Sequence, residues 1–150
     1  MKKISSYLSE QRILFFPAGP SKRQVIGSLI AALDLDDPTA AIKAVLAREE
    51  LGSTIIAPGL ALPHARFDEV TRVEAAVGIC PPGVHDPHSK GEPVRVYVLF
   101  LGPVDNMKEH LAFLTGVSNL FQKKGLVDQL AKLASPQGVL LALQRAEKST

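Results

Sequence analysis

The sequence predicts one α/β (α+β) domain over residues 1–150, with a mixed β-sheet between helical layers. Helical apolar spacing fills the first and last thirds of the chain, while short alternating and β-branched segments fill the middle. One segment, "VRVYVLFLGP", turns continuously apolar over 96–101, as a strand buried on both faces does. A chain of 150 residues, 46% apolar and 21% charged, is long enough to bury one substantial core.

The elements follow in order. In "PSKRQVIGSLIAAL" Ser21 and Gln24 stand at capping-box spacing, and Val25, Ile26, Leu29, Ile30 and Leu33 follow at helical spacing. "DDPTAAIKAVLAREELG" offers Asp37 as N-cap, Pro38 at the first helical position and Gly52 as the stop. Its apolar face is Ala41, Ile42, Val45 and Leu46, with Arg48 and Glu49 on the last turn. Residues 53–57 and 60–63 read as two short strands, the second ended by Pro63. "RVEAAVGIC" alternates, with Val73, Ala75, Val77 and Ile79 on one side. "PPGVHDPHSKGEP" reads as a loop leading into the central strand. In the last third Asn106 and Glu109 suit a cap and its N3 partner. Met107, His110, Leu111, Leu114, Val117, Ser118 and Phe121 fall on one helix face. "GLVDQLAKLASP" and "SPQGVLLALQRAEK" supply two more helices, the second with Ser135 as cap and Pro136 at its first position.

Composition narrows the function. The 17 basic and 15 acidic residues are spread along the chain, with no basic block interleaved with aromatics, which argues against nucleic-acid binding. Cys80 is the one cysteine, so no internal disulfide or CxxC metal cluster is available, and it reads as an inert buried thiol. The opening "MKKISSYLSEQRILFF" lacks the unbroken apolar stretch of a secretory signal, and no apolar run approaches a membrane span. The expectation is a cytoplasmic protein without direct membrane insertion. No glycine-rich phosphate loop and no GxSxG nucleophile elbow occurs.

Four histidines remain as carriers of chemistry: His64, His85, His88 and His110. His64 follows Pro63, and a strand ending there places the ring at the mouth of the sheet, where open α/β sheets bind ligands. A surface histidine after a strand fits the local sequence as well. His110 lies on the apolar face of a first helical turn; it fits either a core histidine or a group beside the anion-binding start of a helix. Arg48 fits a cation complementing a helix C-terminus, and Arg66 fits a plain surface charge. "HDPH", with His85 and His88, lacks partners at zinc-site spacing.

Together, "REELGSTIIAPGLALPHAR" resembles the signature of the mannitol/fructose-type enzyme IIA domain (type 2) of the bacterial phosphotransferase system, a family that includes the nitrogen-regulatory enzyme IIA proteins. The matching residues are Arg48-Glu49, Gly52-Ser53-Thr54 and Ala61-Leu62-Pro63-His64. "ISSYLSEQRILF", "SKRQVIGSLIAAL" and "PVRVYVLFLGPVDNMKEHLAFLTGVSNLF" extend the resemblance over nearly the whole chain. The fold it implies is a mixed sheet of about five strands flanked by helices on both faces. Ile55 and Ala57 stand where glycines are usual, Pro58 is an addition, and the pattern does not require His85 or His88.

The resemblance implies a phosphocarrier in which His64 accepts the phosphoryl group, His110 hydrogen-bonds it and Arg48 stabilises its charge. A neutral imidazole is a competent nucleophile near neutral pH, and an arginine fork matches phosphoryl oxygens. The implied donor is the histidine-phosphorylated carrier protein, and the acceptor is a IIB domain or a regulatory target. No metal or organic cofactor is implied. Because the chain carries this domain alone, the regulatory branch is expected, with a free-standing sugar-specific IIA as the alternative. Two rivals stand beside it: a binding module of the same fold that is not phosphorylated, and a metal-dependent hydrolase using His64, His85, His88 and His110.

Overall fold

The computed structural model of the protein describes residues 3–89 and 91–148. After two short 3-10 turns, Ile4–Tyr7 and Glu10–Arg12, the chain runs β1 (Ile13–Phe15), α1 (Lys22–Ala31), α2 (Pro38–Leu51), β2 (Ile55–Ala57), β3 (Leu60–Ala61) and β4 (His64–Arg66). It continues through β5 (Glu74–Val84), β6 (Val94–Gly102), α3 (Met107–Leu120), α4 (Leu126–Ala131) and α5 (Pro136–Lys148).

The helices start where their capping chemistry dictates. Ser21 Oγ accepts from Gln24 N at 3.2 Å while Ser21 N donates to Gln24 Oε1 at 2.8 Å, closing the capping box of α1. Asp37 Oδ1 accepts from Ala40 N, Asn106 Oδ1 from Glu109 N and Ser135 Oγ from Gly138 N, each at 3.1 Å. Glu109 does not return the bond to Asn106; its Oε1 accepts from Val73 N at 3.2 Å and ties α3 to the sheet.

The sheet has six strands in the order β1-β5-β6-β3-β2, with β4 also paired to β6. Alternation along β5 and β6 divides the core. Val73, Ala75, Val77, Ile79, Val96, Val98 and Phe100 pack under α3, α4 and α5; Ala76, Cys80, Tyr97, Leu99 and Leu101 pack under α1 and α2. The continuously apolar run is therefore a central strand covered on both faces, as expected.

The six-stranded mixed sheet agrees with the expected one of about five strands; β1, parallel to β5, has only three residues and no periodicity that could announce it. Other expectations need correction. The Pro/Gly stretch after Cys80 is not all loop: β5 continues to Val84, which pairs with Val94 after an irregularity beyond Ile79. Prolines are accommodated there because the ladder is already broken. Nor does Pro63 end the strand. Leu60 and Ala61 pair with Val96 and Tyr97, and His64, Ala65 and Arg66 pair with Phe100, Leu101 and Gly102 in the same parallel register. Pro63 lacks an N–H and interrupts the ladder, yet its carbonyl accepts from Phe100 N at 3.1 Å and the strand resumes. Pro58, the addition to the family pattern, forms with Gly59 (φ 80°) the turn joining β2 to β3.

The buried face of α3 is also rotated from the expected one. His110, Phe113, Val117 and Leu120 are buried, whereas Leu111 is 50% and Met107 39% exposed. Tyr7, in the first 3-10 turn, meets Phe113 edge-on at 5.1 Å and seats that side of the helix inward. On α2, Ala41 and Val45 are buried and Ile42 and Leu46 half-buried.

Candidate functional site

Period-two geometry sets the site. Leu60 and Leu62 face the α3 layer, and the register retained through Pro63 gives His64 the same face, directly opposite Phe100. The His64 and Phe100 rings stack with centroids 5.0 Å apart and an interplanar angle of 4°. His110, four residues into α3 from its cap, reaches the same spot from above. Its ring lies 5.6 Å from His64 and 5.0 Å from Phe100. Residues 46 positions apart in sequence thus meet at the carboxyl end of β6.

One bond fixes the proton on His64. Its Nδ1 lies 2.7 Å from the carbonyl oxygen of Leu62, whose own N–H donates to Thr54 O at 2.9 Å. A carbonyl only accepts, so Nδ1 carries the proton and Nε2 keeps its lone pair. Burial pushes the His64 pKa below the ordinary imidazole value and the Arg48 charge pushes it the same way, outweighing the opposing pull of the Leu62 bond and Glu49. His110 is lowered as well, first by burial and then by the nearby His64 and Arg66. Both rings are consequently neutral at neutral pH, which a nitrogen nucleophile requires.

Arg48 sits half-buried on the last turn of α2, with Nη1 3.5 Å from Gly52 O. It is near enough for its charge to act on His64, and the guanidinium makes no carboxylate ion pair among the described residues. Arg66, expected as a plain surface charge, is exposed and two residues along β4 on the His64 side. Its Nη2 donates to Val104 O at 2.9 Å, at the loop that launches α3. In the loop into α3 and its first turns the side chains of Val104, Met107 and Leu111 are exposed, as is Leu51 three residues after Arg48 at the end of α2. The arrangement gathers a nitrogen lone pair, a buried second imidazole and a cation, a set of groups that could hold an anionic group such as a phosphoryl.

His85 and His88 are not brought to the site. They lie exposed in the β5–β6 connection, at the opposite end of β6, and among the described residues no three His, Cys, Asp or Glu side chains converge as metal ligands. Between them, Asp86 is 1% exposed and pairs with Lys22 Nζ at 2.9 Å, while Lys22 also pairs with Glu49 Oε1 at 2.5 Å. Glu49 Oε2 accepts from Thr54 Oγ1 at 2.6 Å. This buried cluster, like the Phe100 stack, has no local signature, because its members are far apart in sequence. Cys80 is buried in β5, and burial pushes its thiol up to about 12, so it carries no nucleophilic role.

Comparison with known proteins agrees in fold and family. The family described as "Phosphoenolpyruvate-dependent sugar phosphotransferase system, EIIA 2" matches residues 6–146. The PTS system fructose-specific EIIABC component of Bacillus subtilis (strain 168) is 27% identical over 150 residues; the match covers 97% of this chain and 24% of that protein. The crystal structure of nitrogen regulatory protein IIA-Ntr from Neisseria meningitidis superposes with a TM-score of 0.84 at 26% identity, covering 93% of this chain and 98% of that one. The Escherichia coli mannitol IIA in its complex with phosphorylated IIB shares the fold, with a TM-score of 0.75 at 22% identity, over 92% of this chain and 97% of that one. No helix among the described residues is long and apolar enough to cross a membrane.

Proposed function

The chain belongs to the EIIA 2 family of the phosphoenolpyruvate-dependent sugar phosphotransferase system, whose members are phosphotransferase components, and from that premise we propose that it is a phosphocarrier accepting its phosphoryl group on His64. The observation that carries this reading is the Nδ1–Leu62 hydrogen bond, which leaves Nε2 of a neutral ring as a free nucleophile beside buried His110. In the proposed step the donor's P–N bond breaks as the His64 Nε2–P bond forms. Nε2 has no proton to lose, and the proton on Nδ1 stays there, donated to the Leu62 carbonyl. Arg48 balances charge on the equatorial oxygens, and His110 donates a hydrogen bond to them.

The donor is the histidine-phosphorylated carrier protein, and the exposed side chains of Leu51, Val104, Met107 and Leu111 suit a shallow protein–protein contact around the ring. The acceptor is a IIB domain or a regulatory target. Likeness to IIA-Ntr over nearly the full length of both chains supports the regulatory branch; the fructose-specific relative and the mannitol IIA–IIB complex support sugar transfer. Incubation with an isolated IIB domain separates them: regulation predicts that the adduct is retained, sugar transport that it leaves.

The primary test is incubation with phosphoenolpyruvate, the system's first enzyme and its carrier. An acid-labile adduct on this protein is expected; no adduct from components that phosphorylate a control would overturn the reading. For Arg48→Ala the expected outcome is normal folding with phosphoryl acceptance slowed about 10²-fold, the scale of losing one charge-stabilising donor. Unchanged single-turnover kinetics would reduce Arg48 to a helix-terminal cation.

A further inference from the structure

We infer that Gly102 is a positioning residue: its bare Cα lies against the Nδ1 edge of His110, seats the ring beside His64 and selects the tautomer that carries its proton on Nε2. A Cβ at position 102 would fall 2.0 Å from His110 Nδ1, 2.9 Å from Cγ and 3.1 Å from Cβ, so only hydrogen separates the strand from the ring. Gly102 is held there as the last residue of β6, paired with Arg66, its carbonyl accepting from Phe67 N at 2.9 Å.

The Nδ1 atom is buried and has no hydrogen-bond partner among the described residues, in a residue only 6% exposed. A proton on it would be a buried N–H aimed at a carbon, at the full desolvation cost of an unmade bond. A lone pair there meets a Cα–H instead, a weak but favourable contact. Burial, His64 and Arg66 hold the ring neutral, and a neutral ring carries one proton, which leaves Nε2–H. His64 has the opposite arrangement, Nδ1–H on Leu62 and a lone pair on Nε2. The two rings therefore offer one acceptor and one donor to the same space. Phe100 and His64 wall the imidazole on its other sides. A side chain at 102 must displace the ring and take its donor from where a phosphoryl group on His64 would sit.

The catalytic consequence rests on the phosphocarrier reading; the tautomer does not. Long-range 1H–15N correlation spectra of the labelled full chain at about pH 8, where both rings are neutral, are expected to show Nε2–H on His110 and Nδ1–H on His64. Gly102→Ala is expected to shift the His110 nitrogens and slow phosphoryl acceptance about tenfold or more, the scale of a misplaced group. It should slow His110→Ala no further. A wild-type His110 protonated on Nδ1, unmoved His110 resonances in Gly102→Ala, or an equal loss in the His110→Ala background would each overturn the inference. Should the alanine variant not fold, the wild-type spectrum decides. If wild-type protein accepts no phosphoryl group at all, the functional reading fails while the spectrum still decides the role of Gly102.

Discussion

His64→Ala is expected to remain folded and to accept no phosphoryl group. The loss should be complete rather than graded, because the side chain removed is the covalent acceptor itself and alanine offers no nucleophile. His110 cannot replace it: Nδ1 is pressed against Gly102 and buried, and Nε2 carries the proton in the tautomer inferred above. Position 64 is half-buried at the start of β4, so its truncation costs the Phe100 stack but leaves the ladder to β6 in place. Label incorporation measured beside far-ultraviolet circular dichroism checks both halves of the expectation; an adduct on the folded variant would put the acceptor elsewhere. The same nucleophile fixes the pH profile. Because burial, with Arg48, holds the His64 pKa below its ordinary value, acceptance should be flat across neutral pH. It should fall only on the acid side of about 6.5, the unperturbed imidazole value.

The second large effect falls on stability. Lys22→Met is expected to cost about 3 kcal/mol, read as a lower denaturant midpoint at unchanged slope. Lys22 Nζ is the shared cation of Glu49 and Asp86, whose side chains are 7% and 1% exposed. Its removal leaves two buried carboxylates with one hydrogen bond each, to Thr54 Oγ1 and His88 N. The low end of the range for a broken buried pair applies, since 23% of the lysine side chain reaches solvent.

The pH dependence gives that prediction its sign. Burial alone would raise the Asp86 pKa, but the Lys22 and His88 hydrogen bonds and the Lys22 charge outweigh it and hold the group below its ordinary value. Asp86 therefore contributes stability above the unfolded carboxyl pKa and loses it as pH falls through the lower folded value. Burial would lower the Lys22 pKa, but Glu49 and Asp86 raise it overall, so its contribution is intact below its unfolded pKa and lost in strong alkali. The difference between wild type and Lys22→Met should thus be widest near neutral pH and narrow in acid. A difference that did not change with pH would show that lost packing, not lost charge, explains the destabilisation.

How much of this was legible in the sequence follows the range of the interactions. The caps at Ser21, Asp37, Asn106 and Ser135 join residues three apart, and each begins the helix it announced. The unbroken apolar run from Val96 announced a strand covered on both faces, whereas the alternation from Val73 to Ile79 showed only one of the two faces that β5 buries, because Ala76 and Gly78 are too small to mark the other. The family signature pointed to His64, His110 and Arg48 as a group, whereas taken singly each fits an ordinary structural position.

What the sequence by itself determined is local: where helices begin, which strand is central, and which residue types could carry phosphoryl chemistry. The tertiary structure alone decided the register that continues through Pro63, the roll of α3 that buries Phe113 and exposes Leu111, and the meeting of His64 with His110. It alone joined Lys22 to Asp86 across 64 positions and set Gly102 against an imidazole. The division has one physical cause. Caps and alternation are settled by backbone geometry within a turn or a pleat, whereas a proton's place on a buried ring is settled by whichever distant atoms packing brings to its two nitrogens.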